Sequence, residues 1–152
     1  MESVYDIASF YLSKAPMTQK KLQKLVYYAY AWTLTLLNDK EDNLDNKLFN
    51  EEIQAWVHGP VCPPLYAKYK GYGWEAIPSE EYDVTNLEAD VLDVLEQVWA
   101  VYGGFNGNEL ESISHQEKPW QMARVGYSAN QPSNEQISDN IIYQYYSKRL
   151  ED

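Results

Sequence analysis

A single thiol, two imidazoles and a carboxylate close to one of them are the groups in this 152-residue chain that could make a nucleophilic centre. Cys62, His58 and His115 with Glu117 would supply nucleophile, base and orienting acid, the combination that activates a cysteine for covalent catalysis. The spacing argues against it. His58 and Cys62 stand four apart across Gly59-Pro60, a linkage that gives their side chains no common direction, and an isolated cysteine is usually an inert buried hydrophobe. The sequence has no serine elbow, phosphate-binding glycine loop or paired-carboxylate motif. Two histidines and one cysteine without CxxC or HExxH spacing fall short of a tetrahedral metal site. The chain therefore reads as a non-enzyme without cofactor or metal. His58 is expected beside a turn and His115 hydrogen-bonded near a helix end.

Charge is the second source of chemistry. From Gly71 to Glu117 the chain has no Lys or Arg but eleven acids, while the rest balances twelve acids against twelve bases, so the net charge of −11 comes from one third of the sequence. Glu88, Asp90, Asp93 and Glu96 are its candidate partner-binding residues, steering basic partners or simply solvating a face. A phage-type inhibitor that mimics nucleic acid is the reading drawn from charge alone. Lys20, Lys21 and Lys24 follow Pro16 and Thr18 in a pattern reminiscent of a helix-turn-helix, but three bases against this excess argue against direct nucleic-acid binding. Cations near a helix N-terminus need compensation, expected from Glu2, Asp6 or a partner's carboxylate, which makes Lys20 and Lys24 further candidate partner contacts.

The elements that must position these groups are mostly helical. Ser3 with Asp6 opens a first helix running to about Lys14, and Thr18 caps a long second one whose apolar positions, Leu22 to Leu37, repeat at helical spacing toward Asn38. Residues Asn38 to Asn50 read as a loop. Ile53 to Val57 alternate in a way that fits either a short strand or an irregular buried segment, ended by Gly59-Pro60. Pro63-Pro64 start a short helix to Gly71, and Trp74 to Asp83 is a loop. Thr85 with Glu88 reads as a capping box for a helix to Tyr102, and Asn106 with Glu109 for the next, through Ile113. Pro119 opens a short helix through Met122, and Asn134 to Arg149 makes the last. The expected fold is one mainly α domain over residues 1–152, with six or seven helices and at most a short extended segment near residues 53–57. Fourteen tyrosines and five tryptophans suit half-buried core rings as well as an interface. Neither a signal peptide nor a membrane span is recognisable, and one cysteine leaves no internal disulfide, so a cytoplasmic protein is expected.

Two runs, Ile53-Gln54-Ala55-Trp56-Val57-His58-Gly59-Pro60-Val61 and Ile113-Ser114-His115-Gln116-Glu117-Lys118-Pro119-Trp120, stand in an order and separation that resemble the Panacea domain of SocA-like and GepA-like proteins. The segment from Met17 to Ala29 also resembles the opening helix of that family, so the likeness extends from about Met17 to Arg124. It implies a compact helical domain of bacterial or phage origin that acts as an antitoxin by contacting its cognate toxin. It also implies a possible adaptor role, delivering the toxin to an ATP-dependent protease. Within that resemblance Trp56, His58, Gly59, Pro60, Val61, His115, Pro119 and Trp120 are expected to be scaffold, with the two tryptophans packing the motifs together.

Overall fold

The computed structural model describes residues 1–150. Among them, Ser3 caps α1 (Val4–Leu12) by accepting from the Tyr5 amide, and Thr18 caps α2 (Gln19–Leu36) by accepting from Lys21. The chain between them extends as β1 (Met17–Thr18), which pairs antiparallel with β4 (Ala76–Ile77). A hairpin of β2 (Gln54–Trp56) and β3 (Gly59–Val61) leads into α3 (Pro63–Tyr69), and α4 (Ala89–Tyr102), α5 (Gly107–His115), α6 (Lys118–Ala123) and α7 (Asp139–Leu150) complete the domain. Seven helices and little strand make the fold mainly α, as expected.

Helix α2 is the axis. It packs against α1, α4, α5 and α7, and this encirclement buries more than one apolar stripe: Gln19, Gln23, Lys24, Thr33 and Thr35 are inside along with Leu22, Leu25, Val26 and Leu34. Seven of the fourteen tyrosines are buried, four of them (Tyr11, Tyr27, Tyr28 and Tyr146) with almost no exposure, so much of the aromatic excess is core. The phenols find acceptors there: Tyr11 donates to the Leu95 carbonyl at 3.0 Å.

Three local expectations change. Thr85 and Glu88 form no capping box: Asp83 captures the amide and hydroxyl of Thr85, closing a 3₁₀ turn at 84–86, and Glu88 stands at the N-cap of α4 without a side-chain bond. The box at Asn106 and Glu109 does form, with bonds of 2.8 and 2.9 Å. The last helix starts at Asp139, because residues 135–137 run extended beside β2, where Ala55 donates to Glu135 and Ile137 to Ile53. Finally, the extended structure exceeds residues 53–57. Gly59–Val61, expected only to end that run, is the partner strand of β2, and Ala76–Ile77 turns part of an expected loop into a strand.

Candidate functional site

The β2–β3 hairpin is where the two motif runs meet. Trp56 pairs with Gly59 across a turn of Val57 and His58, and Gly59 takes φ +112°, a conformation that L side chains rarely adopt. A Cβ there would lie 2.5 Å from Cε of Lys24, so the missing side chain also makes room for that lysine. From the second run, the Trp120 indole donates to the Trp56 carbonyl at 2.9 Å, and the His115 ring stacks on Trp120 at 4.0 Å. Pro119 is buried in the first turn of α6. The tryptophans thus join the motifs, though Trp56 contributes its carbonyl to that bond while its ring packs edge-on against Tyr66. Arg124 completes the junction by donating to the carbonyls of Ala55, Ser128 and Gln131. Nothing in its local sequence marked it.

The groups of the catalytic reading are not brought together. Burial pushes the Cys62 thiol up to about 11, leaving it protonated at neutral pH, and the Cys62 amide is held by Gln23. Glu117 turns away from His115 into the core, where its Oε1 accepts from Tyr28 and Tyr146, each at 2.8 Å, and its Oε2 meets Arg149 at 3.0 Å. Burial of His115 holds its imidazole below the ordinary range, hence neutral, and its Nε2 has no partner among the described residues. His58 lies exposed at the hairpin turn, 3.2 Å from Glu111. Among the described residues no group of three or more His, Cys, Asp or Glu side chains is placed to hold a metal.

Glu88, Asp90, Asp93 and Glu96 are all exposed on or beside α4, away from its buried stripe of Val91, Val94, Leu95 and Val98. Glu96 pairs with Lys14 at 2.5 Å, and Asp93 accepts from Gln97. Two of the three lysines of α2 are compensated, but not by Glu2 or Asp6. Lys20 pairs with Glu111 at 2.7 Å and donates to Asn108, while Lys21 donates to the Gly103 carbonyl just past α4, where the helix dipole favours a cation. Lys24, 1% exposed, has only the Pro60 carbonyl among the described residues, at 3.2 Å.

A cleft of about 1080 Å³ opens over the start of α2, between the hairpin, the 3₁₀ turn at 70–72 and the loop joining α4 to α5. Among the described residues its lining includes Lys20, Lys21, Lys24, Lys70 and His58 but no Asp or Glu, although the chain has nearly twice as many acids as bases. Trp56, Tyr66, Trp74 and Phe105 supply its aromatic surface, and Trp74 is 81% exposed.

Lys24 beneath this cleft is costly to the fold. Burial, partly offset by Glu111 and reinforced by Lys20, lowers its pKa from 10.5 to about 7. A lysine depressed in the folded state contributes stability that is complete above pH 10.5, declines as the pH falls and is gone below about 7. Lys24→Met is therefore expected to stabilise the domain by about 2 kcal/mol at pH 7, and by pH 9 that advantage should be largely lost. Urea unfolding of both proteins at the two pH values checks it, and a Met variant less stable than wild type at pH 7 would overturn it.

Comparison with known proteins bears on this site. The family model described as "Antitoxin SocA-like, Panacea domain" matches residues 22–121, a range that contains both motif runs and most of α2. Antitoxin SocA of Caulobacter vibrioides (strain NA1000 / CB15N) is similar, at 27% identity over 153 residues covering 90% of this chain and 78% of the relative. No solved structure matches significantly.

Proposed function

This chain belongs to the SocA-like antitoxin family with its Panacea domain, and from that premise we propose that it neutralises a cognate toxin protein by direct contact. The observation that carries the reading is the family match through the residues that build the hairpin junction. The geometry agrees with it. The motif residues are engaged in joining elements, Cys62 is buried and protonated, and Glu117 is committed to two phenols and an arginine. What faces solvent beside this rigid junction is an open, preformed, aromatic-lined cleft, a surface suited to anchoring another protein.

Co-expression with the product of the neighbouring gene is the direct test. Growth should be restored, and the two proteins should co-purify as a stoichiometric complex; failure on both counts removes the proposal. The toxin's abundance in rescued cells then separates two modes of action. Intact, accumulated toxin means masking, and loss that depends on an ATP-dependent protease means delivery for degradation.

A further inference from the structure

The charge of the chain and the charge of its cleft have opposite signs. All eleven acids of residues 71–117 are absent from the cleft lining, which is instead supplied with lysines from α2 and from the 3₁₀ turn after α3. The nearest carboxylate in this arrangement, Glu111, is already shared by Lys20 and His58. Among the described residues Lys70 forms no ion pair within 4.0 Å, and Lys24 is buried under the cleft with a single carbonyl for company. A buried, carboxylate-free lysine weakens the fold, and such groups concentrate where a site needs them. Trp74 adds an independent sign: a tryptophan 81% exposed at the cleft mouth, with the Lys20 ammonium 5.7 Å from its ring centroid.

We propose that this cleft is the docking site for an extended segment of the partner protein bearing a carboxylate beside a large aromatic or aliphatic side chain. The carboxylate faces Lys20 and Lys70 with Lys24 beneath, and the apolar side chain packs against Trp56, Tyr66 and Trp74. A protein segment fits better than a nucleic-acid strand, because the acidic exterior repels a polyphosphate at long range while a single carboxylate meets only the local cationic surface. The inference rests on the antitoxin reading and names the site and the partner chemistry it would use.

The test uses the purified product of the neighbouring gene and fluorescein-labelled eight-residue peptides tiling its sequence, with an oligothymidine octamer as the competing class. Binding is measured against wild type, Trp74→Ala, Lys70→Glu and an α4 variant, Glu88→Lys/Asp93→Lys, all exposed positions, with circular dichroism confirming each fold. Trp74→Ala should weaken the intact partner about thirtyfold and Lys70→Glu about tenfold, while the α4 variant binds as wild type. The tightest peptide should combine Asp or Glu with an aromatic or large aliphatic residue, and its affinity should fall with salt. Unchanged affinity in both cleft variants, loss confined to the α4 variant, a tightest peptide without an acid, or an octamer that outcompetes every peptide each overturns the cleft assignment and leaves the antitoxin reading standing. A partner that does not bind wild type at all removes both.

Discussion

Glu117→Ala should cost the domain about 4 kcal/mol, because it strips a buried network of the acceptor that three groups share. Tyr28 and Tyr146 both donate to one oxygen of Glu117, Arg149 pairs with the other, and the Tyr146 hydroxyl also lies 3.1 Å from that of Tyr27. The carboxylate therefore ties α7 to α2 through the start of α6, and its loss leaves the buried Tyr28 phenol without its acceptor. For a domain of this length the melting temperature should drop by about 10 °C or more. Glu117→Gln retains an acceptor for the phenols and should lose less than half as much. The pH dependence gives a second readout. Burial raises the Glu117 carboxyl above its ordinary value of 4.5, against the opposing pull of Tyr146, Tyr28 and Arg149. A raised folded-state value means that the group's contribution is complete below pH 4.5 and is lost as the pH rises through the raised value. The stability gap between wild type and Glu117→Gln should therefore widen as the pH is lowered from 7 toward 4.5. Denaturant titrations across that range measure it, and a gap that narrows on acidification contradicts the assignment.

Gly59→Ala should cost about 3 kcal/mol from two separable sources, a left-handed backbone and a steric collision. The φ of +112° strains an L residue whatever surrounds it, and the added Cβ lies 2.5 Å from Cε of Lys24 and 3.2 Å from Oγ of Ser114. A double-mutant cycle with Lys24→Ala separates them. Shortening the lysine removes the closest contact but not the backbone strain, so the cost of Gly59→Ala should fall to about 1 to 2 kcal/mol in that background. Equal costs in both backgrounds would show that Lys24 does not fill the space under the turn. Because the hairpin and Lys24 also border the cleft, the variant should weaken the partner complex as well as the fold.

Much of this arrangement was legible locally. Ser3, Thr18 and the Asn106–Glu109 box announce helix starts because a capping side chain and the amide it accepts from are at most three residues apart. Thr85 and Glu88 show how that signal misleads: Asp83 offers the same amide an acceptor two residues away, and a short turn replaces the box. The motif residues around Gly59 and Trp120 stand out in the sequence, but the bonds they make do not. Trp120 reaches a carbonyl 64 residues away, Arg124 one 69 away, and Glu117 a phenol 89 away, and nothing within a helical turn encodes those distances.

Charge divides in the same manner. The clustering of acids between residues 71 and 117, the three lysines that begin α2 and the mainly helical character can all be read along the chain, since composition, capping and periodicity are local quantities. Which charges share a surface depends on the packing of the helices. Packing α2 among its neighbouring helices buries Lys24, delivers Glu111 to Lys20 and gathers Lys70 and Trp74 around the same opening, so an acidic protein acquires a basic, aromatic cleft. The physical reason is that a site's field and shape are sums over neighbours in space, and the hydrophobic burial that chooses those neighbours takes no account of their separation along the chain.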